Sequence, residues 1–164
     1  MSALTRITTE FVVEEDRIRL SGERAGAPPV AIWMTRRMLC RLIPVLRQWL
    51  EKENGDLLRS DTLQGLAQHS ARANQKPQPP VRVSTDAESW LVRTMDISSN
   101  SQAVSLTFKA EQGQLASLVL TAEPLRQWLN ILHSIWVKAE WSGDVWPDWI
   151  HEVPQIAQES VVVH

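Results

Sequence analysis

Apolar positions along this chain switch twice between a two-residue and a helical period. Arg17-Ile18-Arg19-Leu20 alternates strictly, which places Ile18 and Leu20 on one face of a strand and both arginines on the other. The β-branched stretch Ile7–Val13 before it suits a strand, with Glu14-Glu15-Asp16 as the intervening turn. Residues Gly22–Pro29 carry loop chemistry, and Val30–Met34 reads as a third strand. The period then changes. Leu39, Leu42, Ile43, Leu46, Trp49 and Leu50 recur at helical spacing, Thr35 stands where an N-cap belongs, and Asn54-Gly55 supplies a helix stop. Pro44 falls inside this helix and predicts a bend there, or a start in two pieces.

The same succession returns 86 residues later without gaps. Residues 17–50 fall on residues 103–136, so that Ile18 and Leu20 meet Val104 and Leu106, Thr35 meets Thr121, and the helical apolar set meets Leu125, Trp128, Leu129, Leu132, Ile135 and Trp136. In this second unit Trp90–Ile97 is the expected first strand, Val104, Leu106 and Phe108 alternate with Ser105, Thr107 and Lys109, and Leu115–Leu120 is the third strand. Thr121 is the expected cap, and Pro124 sits in the first turn, where a missing N–H costs nothing. The correspondence lies in pattern more than in letters, and it predicts an internal structural repeat.

The expected architecture is therefore α+β: two pseudo-symmetric β-β-β-α repeats forming antiparallel sheet, with helices packed on one face. A single unit would expose its helix, so residues 1–164 are expected to form one domain. Its parts are repeat one (4–55), a helical and Pro-rich connector (56–87), repeat two (88–140) and a Trp-rich C-terminal segment and tail (141–164). In the connector, residues 61–74 show helical periodicity through Leu63, Leu66 and Ala67, and Pro77, Pro79 and Pro80 predict an extended or mobile stretch.

Composition narrows the function classes. The 164 residues are 43% apolar and 22% charged, which suits a globular domain. No apolar run reaches the roughly 18 residues of a membrane span, and no basic-then-apolar signal opens the chain, so a cytoplasmic protein without membrane contact is expected. The one cysteine, Cys40, excludes an internal disulfide and a cysteine-based zinc site. There is no glycine-rich phosphate loop and no nucleophile elbow. The four histidines share no ligand spacing, His133 reads as a helix-packing residue, and Cys40 reads as a packed thiol. Asp144, Asp148, His151 and Glu152 lie close together but read as solvated loop charge. Neither enzyme activity nor a cofactor or metal is expected.

Charge and aromatics supply the candidate binding residues. Residues 1–52 hold nine Lys/Arg against six Asp/Glu, and residues 88–164 hold four against nine, so a basic unit faces an acidic one. Arg36 and Arg37 directly follow the cap Thr35, where cations oppose the helix dipole. With Arg17, Arg19, Arg24 and Arg41 they form the candidate anion or nucleic-acid set. The chain holds eight tryptophans and no tyrosine. Trp141, Trp146 and Trp149 mix with Asp144 and Asp148, as interface anchors do, although they equally suit a seal on the helix layer. The leading expectation is a non-enzymatic interaction or accessory protein that binds a protein partner or itself, as a homodimer. The alternative is single-stranded nucleic-acid binding by the basic first repeat with an exposed tryptophan. In layout the repeated strands-then-helix plan is similar to that of the PUR and Whirly groups of single-stranded nucleic-acid-binding proteins. Each unit here shows three strands where those families use four, and no motif matches residue by residue.

Overall fold

The computed structural model describes residues 2–52 and 61–150. Strands β1 (Leu4–Val12), β2 (Arg17–Arg24) and β3 (Ala27–Met34) lead into helices α1 (Arg36–Lys52) and α2 (Asp61–Ala73). Strands β4 (Ser89–Leu91), β5 (Thr94–Ser99), β6 (Ala103–Lys109) and β7 (Leu115–Thr121) lead into α3 (Ala122–Lys138), and two 3-10 turns, Gly143–Val145 and Asp148–Ile150, follow. The fold is α+β, and the described residues form three helices and two sheets of order β1-β2-β3-β4 and β5-β6-β7.

Two features differ from a single antiparallel sheet. The strands divide into two sheets, and β3 pairs with β4 in parallel. The strand expected over Trp90–Ile97 is broken at Val92-Arg93, and each half serves a different sheet. Val92 donates its N–H to the Trp33 carbonyl (2.9 Å), and Arg93 donates to Lys109 (2.8 Å). The cause is a slip in the apolar phase. Trp90 and Val92 are buried on even positions, and the next inward residues, Met95 and Ile97, fall on odd ones. A strand cannot keep both sets on one face without a break. β1 remains one strand and shows only a register shift between Leu4 and Arg6.

One face of each sheet joins the helices in a single core. Ile18, Leu20, Ile32 and Met34 of the first sheet and Val104, Leu106, Phe108 and Leu118 of the second cluster with the apolar faces of α1 and α3. Each helix also reaches across to the other sheet. The Trp49 indole of α1 donates to the Asn100 carbonyl beyond β5 (2.8 Å), and the Trp128 indole of α3 donates to Thr9 Oγ1 on β1 (3.1 Å). Gly22 makes this packing possible on β2, because the Leu4 side chain fills the space its Cβ would need.

Helix α1 begins as its sequence predicts, with Thr35 Oγ1 accepting the Met38 N–H (3.2 Å). Thr121 occupies the corresponding position at α3, but its side chain makes no capping bond. α1 is one continuous helix, so the start in two pieces does not occur. Pro44 is exposed, which leaves the Cys40 carbonyl it cannot serve on the solvent side.

The connector is extended and tied down rather than loose. It crosses the outer face of the first sheet, where the Arg6 guanidinium bonds the Pro79 carbonyl and Val81 donates its N–H to Thr8 Oγ1 (2.7 Å), leaving Val81 buried. α2 turns a polar face inward. The helix expected over residues 61–74 is present, with Gln64 and Gln68 buried, Leu66 and Ala67 half-buried and Leu63 exposed. The glutamines face Arg126 of α3, which is itself buried.

Candidate functional surfaces

The six candidate arginines separate into two groups. Arg19 pairs with Glu10 (3.0 Å) and lies over the Trp33 ring at 5.8 Å. Arg24 pairs with Glu88 (2.7 Å) and donates twice to the Pro28 carbonyl. The side chains of Arg17, Arg36, Arg37 and Arg41 carry no ion pair or hydrogen bond among the described residues, and the last three are exposed on α1. Strand register brings these four to one end of the first sheet. Ile18 stands opposite Met34, so Arg17 lies beside Thr35 and the start of α1, and Arg41 follows Arg37 by one helical turn. The first turn of α1 has no acid, whereas α3 has Glu123. Trp33, half-buried on the outer face opposite Arg19, is an aromatic of this surface that the sequence pattern did not single out. Its signal was the alternation of β3, which turns Ile32 and Met34 inward and Trp33 outward.

The C-terminal tryptophans are placed differently from interface anchors. Trp146 is 8% exposed and Trp149 is 1% exposed. The Trp146 ring meets Trp136 and His133 edge-on at 5.7 and 5.1 Å. The Trp149 indole donates to Glu51 Oε1 (2.9 Å), and the Arg126 guanidinium lies over its ring at 5.3 Å. Both therefore belong to the core, the placement that goes with a seal on the helix layer and not with exposure as anchors. Trp141 is half-buried, edge-on to Phe11 at 5.4 Å and to Trp136 at 4.8 Å. Trp146, Trp149 and Ile150 stand at i, i+3 and i+4, the spacing of an inward-facing turn, and that spacing was the available clue. Residues 151–164, with His151, Glu152 and the final Val161–Val163 run, lie outside the described residues.

The Glu51 bond fastens this segment to the end of α1. Burial by itself would raise the Glu51 carboxyl, but the Trp149 N–H and Arg47 together hold it below the ordinary value of 4.5. A depressed carboxylate contributes stability above its unfolded pKa, and loses it as pH falls through the folded value. The clasp should therefore weaken below about pH 4.5. Thermal melts at about pH 6 and about pH 3 check this: Glu51→Gln should lose less on acidification than the parent chain, and an equal loss in both refutes the assignment.

The second candidate surface is a groove of about 970 Å³ between β1, β7, the first turns of α3 and the connector. It exists because two strand junctions close to different extents. At one, β3 and β4 form three register pairs, with Ala31 N–H donating to Glu88 (3.0 Å) and Val92 N–H to Trp33 (2.9 Å). At the other, a single isolated parallel bridge, Ala3–Ser117, joins the start of the chain to β7, with Ser117 N–H donating to the Ser2 carbonyl (2.9 Å). Beyond it the strands splay, and Leu4, Ile7, Leu118, Leu120, Trp128 and Ile131 line the opening. Val119 is 63% exposed there.

Among the described residues no group of three or more His, Cys, Asp or Glu side chains is placed to hold a metal ion, and no helix is long and apolar enough to cross a membrane. No family model matches the sequence, and no curated protein or solved structure matches it.

Proposed function

We propose that this chain is a non-enzymatic, cytoplasmic binding protein built by duplication of a β-β-β-α unit, and that it takes a protein partner in the groove between β1 and β7. The duplication is supported by positions. α3 begins 86 residues after α1, at Ala122 against Arg36, and both helices span 17 residues. Both parallel junctions obey the same offset, since Ala31 and Ser89 stand 86 residues from Ser117 and Ala3. The observation that carries the functional reading is the open junction. A duplicated scaffold with one junction zipped and the other splayed leaves a lined groove on one side only. A photoreactive phenylalanine at Val119 tests this in cells that make the protein. Val13, 72% exposed and remote from the groove lining, is the control position. A discrete protein adduct from position 119 alone is expected, and no adduct, or the same adducts from both, overturns the reading.

A second reading, single-stranded nucleic-acid binding, is favoured by the free arginines at the end of the first sheet beside Trp33. Oligonucleotide titration at about 50 and 200 mM salt would show quenching that weakens steeply with salt. Arg36→Glu with Arg37→Glu would abolish that quenching. The same double variant should gain about 0.5 kcal/mol in stability, because it replaces two cations that oppose the helix dipole. A flat trace at the lower salt removes this reading.

A further inference from the structure

We infer that the groove admits its partner as an extended acidic peptide, added as a strand beside β7. This deepens the groove reading and rests on it. Alternation along β7 fixes the direction of its free groups. Ser117 turns its N–H toward β1, so Val119, two residues on, turns its own N–H and carbonyl the same way. At the closed junction the Trp33 carbonyl is taken by Val92 N–H. Eighty-six residues on, or back, stand Val119 and Arg6, and no ladder pair or bridge joins them. The groove thus holds an open strand edge of the kind that peptides complete by strand addition. The edge beyond Ser117, from Leu118 to Thr121, accommodates about four extended residues, about 13 Å.

Side chains set the chemistry of the occupant. A strand laid here turns alternate residues toward Leu118, Leu120 and Trp128, and the others toward the connector wall and solvent. Arg6, Arg72 and Lys76 line the groove against a single carboxylate, Glu123. Arg6 is engaged by Glu23 (2.9 Å), whereas Arg72 and Lys76 are exposed with no ion pair among the described residues. Alternating apolar and acidic residues complement that surface. A nucleic-acid strand fits less well, because Trp128 is 3% exposed and offers no stacking face, and backbone edges read no phosphate.

The test uses the full chain and a fluorescein-labelled, blocked hexapeptide of alternating glutamate and valine, followed by anisotropy. Three further probes are its lysine counterpart, a version N-methylated at every second amide, and an oligothymidylate. The acidic peptide should bind with a Kd below about 100 μM, and the lysine and N-methylated peptides about tenfold or more weaker. Arg72→Glu with Lys76→Glu should reverse the charge preference. Both positions are exposed, and an unchanged melting curve verifies the fold of that variant. Equal binding of the N-methylated peptide, or an unreversed preference, overturns the proposal. So does competition for the groove by the oligothymidylate, or a dimer by light scattering that the acidic peptide fails to dissociate. Absence of acidic-peptide binding together with a protein adduct at position 119 overturns strand addition and leaves the groove reading standing. Absence of both overturns the two together.

Discussion

Replacing Trp149 with alanine is expected to lower folding stability by about 4 kcal/mol, the range for deleting a fully buried large aromatic. The side chain is 1% exposed and closes the core where the Asp148–Ile150 turn packs against α2. Three interactions go together: the buried area, the indole donation to Glu51 Oε1, and the ring beneath the Arg126 guanidinium. The first is the largest, and the last adds to it because a cation loses its aromatic face in a site with little water to replace it. Trp149→Phe separates the parts. It keeps most of the apolar volume and loses the N–H bond, so a cost of about 1 to 2 kcal/mol is expected. Trp141→Ala should also cost about 1 to 2 kcal/mol, because that ring is only half-buried and part of its burial is already forgone. Urea titration of the three variants checks the order. If Trp149→Ala costs less than Trp141→Ala, the C-terminal segment is not sealing the core.

The sequence pattern read the secondary structure well wherever one face of an element is buried and the other is not. β2, β6, α1 and α3 are such elements, and their alternation or helical spacing is carried by Ile18 and Leu20, by Val104, Leu106 and Phe108, and by the leucines of both helices. What escaped was set by long-range pairing. The slip between Val92 and Met95 is visible as letters, but only the positions of β3 and β6 make it a division between sheets. The helical periodicity of residues 61–74 located α2, but its inward face is set by Gln64 and Gln68, buried to meet a charge on another helix, which no periodicity within α2 reports. Of the arginines, those near Glu10 and Glu88 are neutralised by partners 9 and 64 residues away. The groove left no local signal, because a junction that fails to close involves residues more than a hundred positions apart.

The same long-range logic gives the second large effect, at Gln64. Arg126 is 3% exposed, and among the described residues no carboxylate meets it. Its short contact is Gln64 Oε1 at 2.6 Å, since the Gln64 carbonyl and Gln68 Oε1 stand at 3.4 and 3.5 Å. Burial alone pulls the guanidinium down from its ordinary value to about 10. The charge therefore persists at neutral pH, and the unfolded chain holds the proton more firmly than the folded one. The charged form thus opposes folding at neutral pH, and raising pH through about 10 relieves that opposition. Gln64→Ala removes the short acceptor and also the bond from Nε2 to the Leu50 carbonyl at the end of α1 (3.1 Å). A loss of about 3 kcal/mol is expected, because the buried cation remains while its best ligand goes. Arg126→Met removes the cation instead, leaves only neutral amides to satisfy, and should cost about 1 kcal/mol. The double variant should then cost less than the sum of the two single ones by about 1 to 2 kcal/mol, since the alanine no longer strands a charge. Additive losses would mean that Gln64 acts through packing at Leu50 and not through the guanidinium. A coupled loss would show that the polar face of α2 exists to solvate one buried cation on α3.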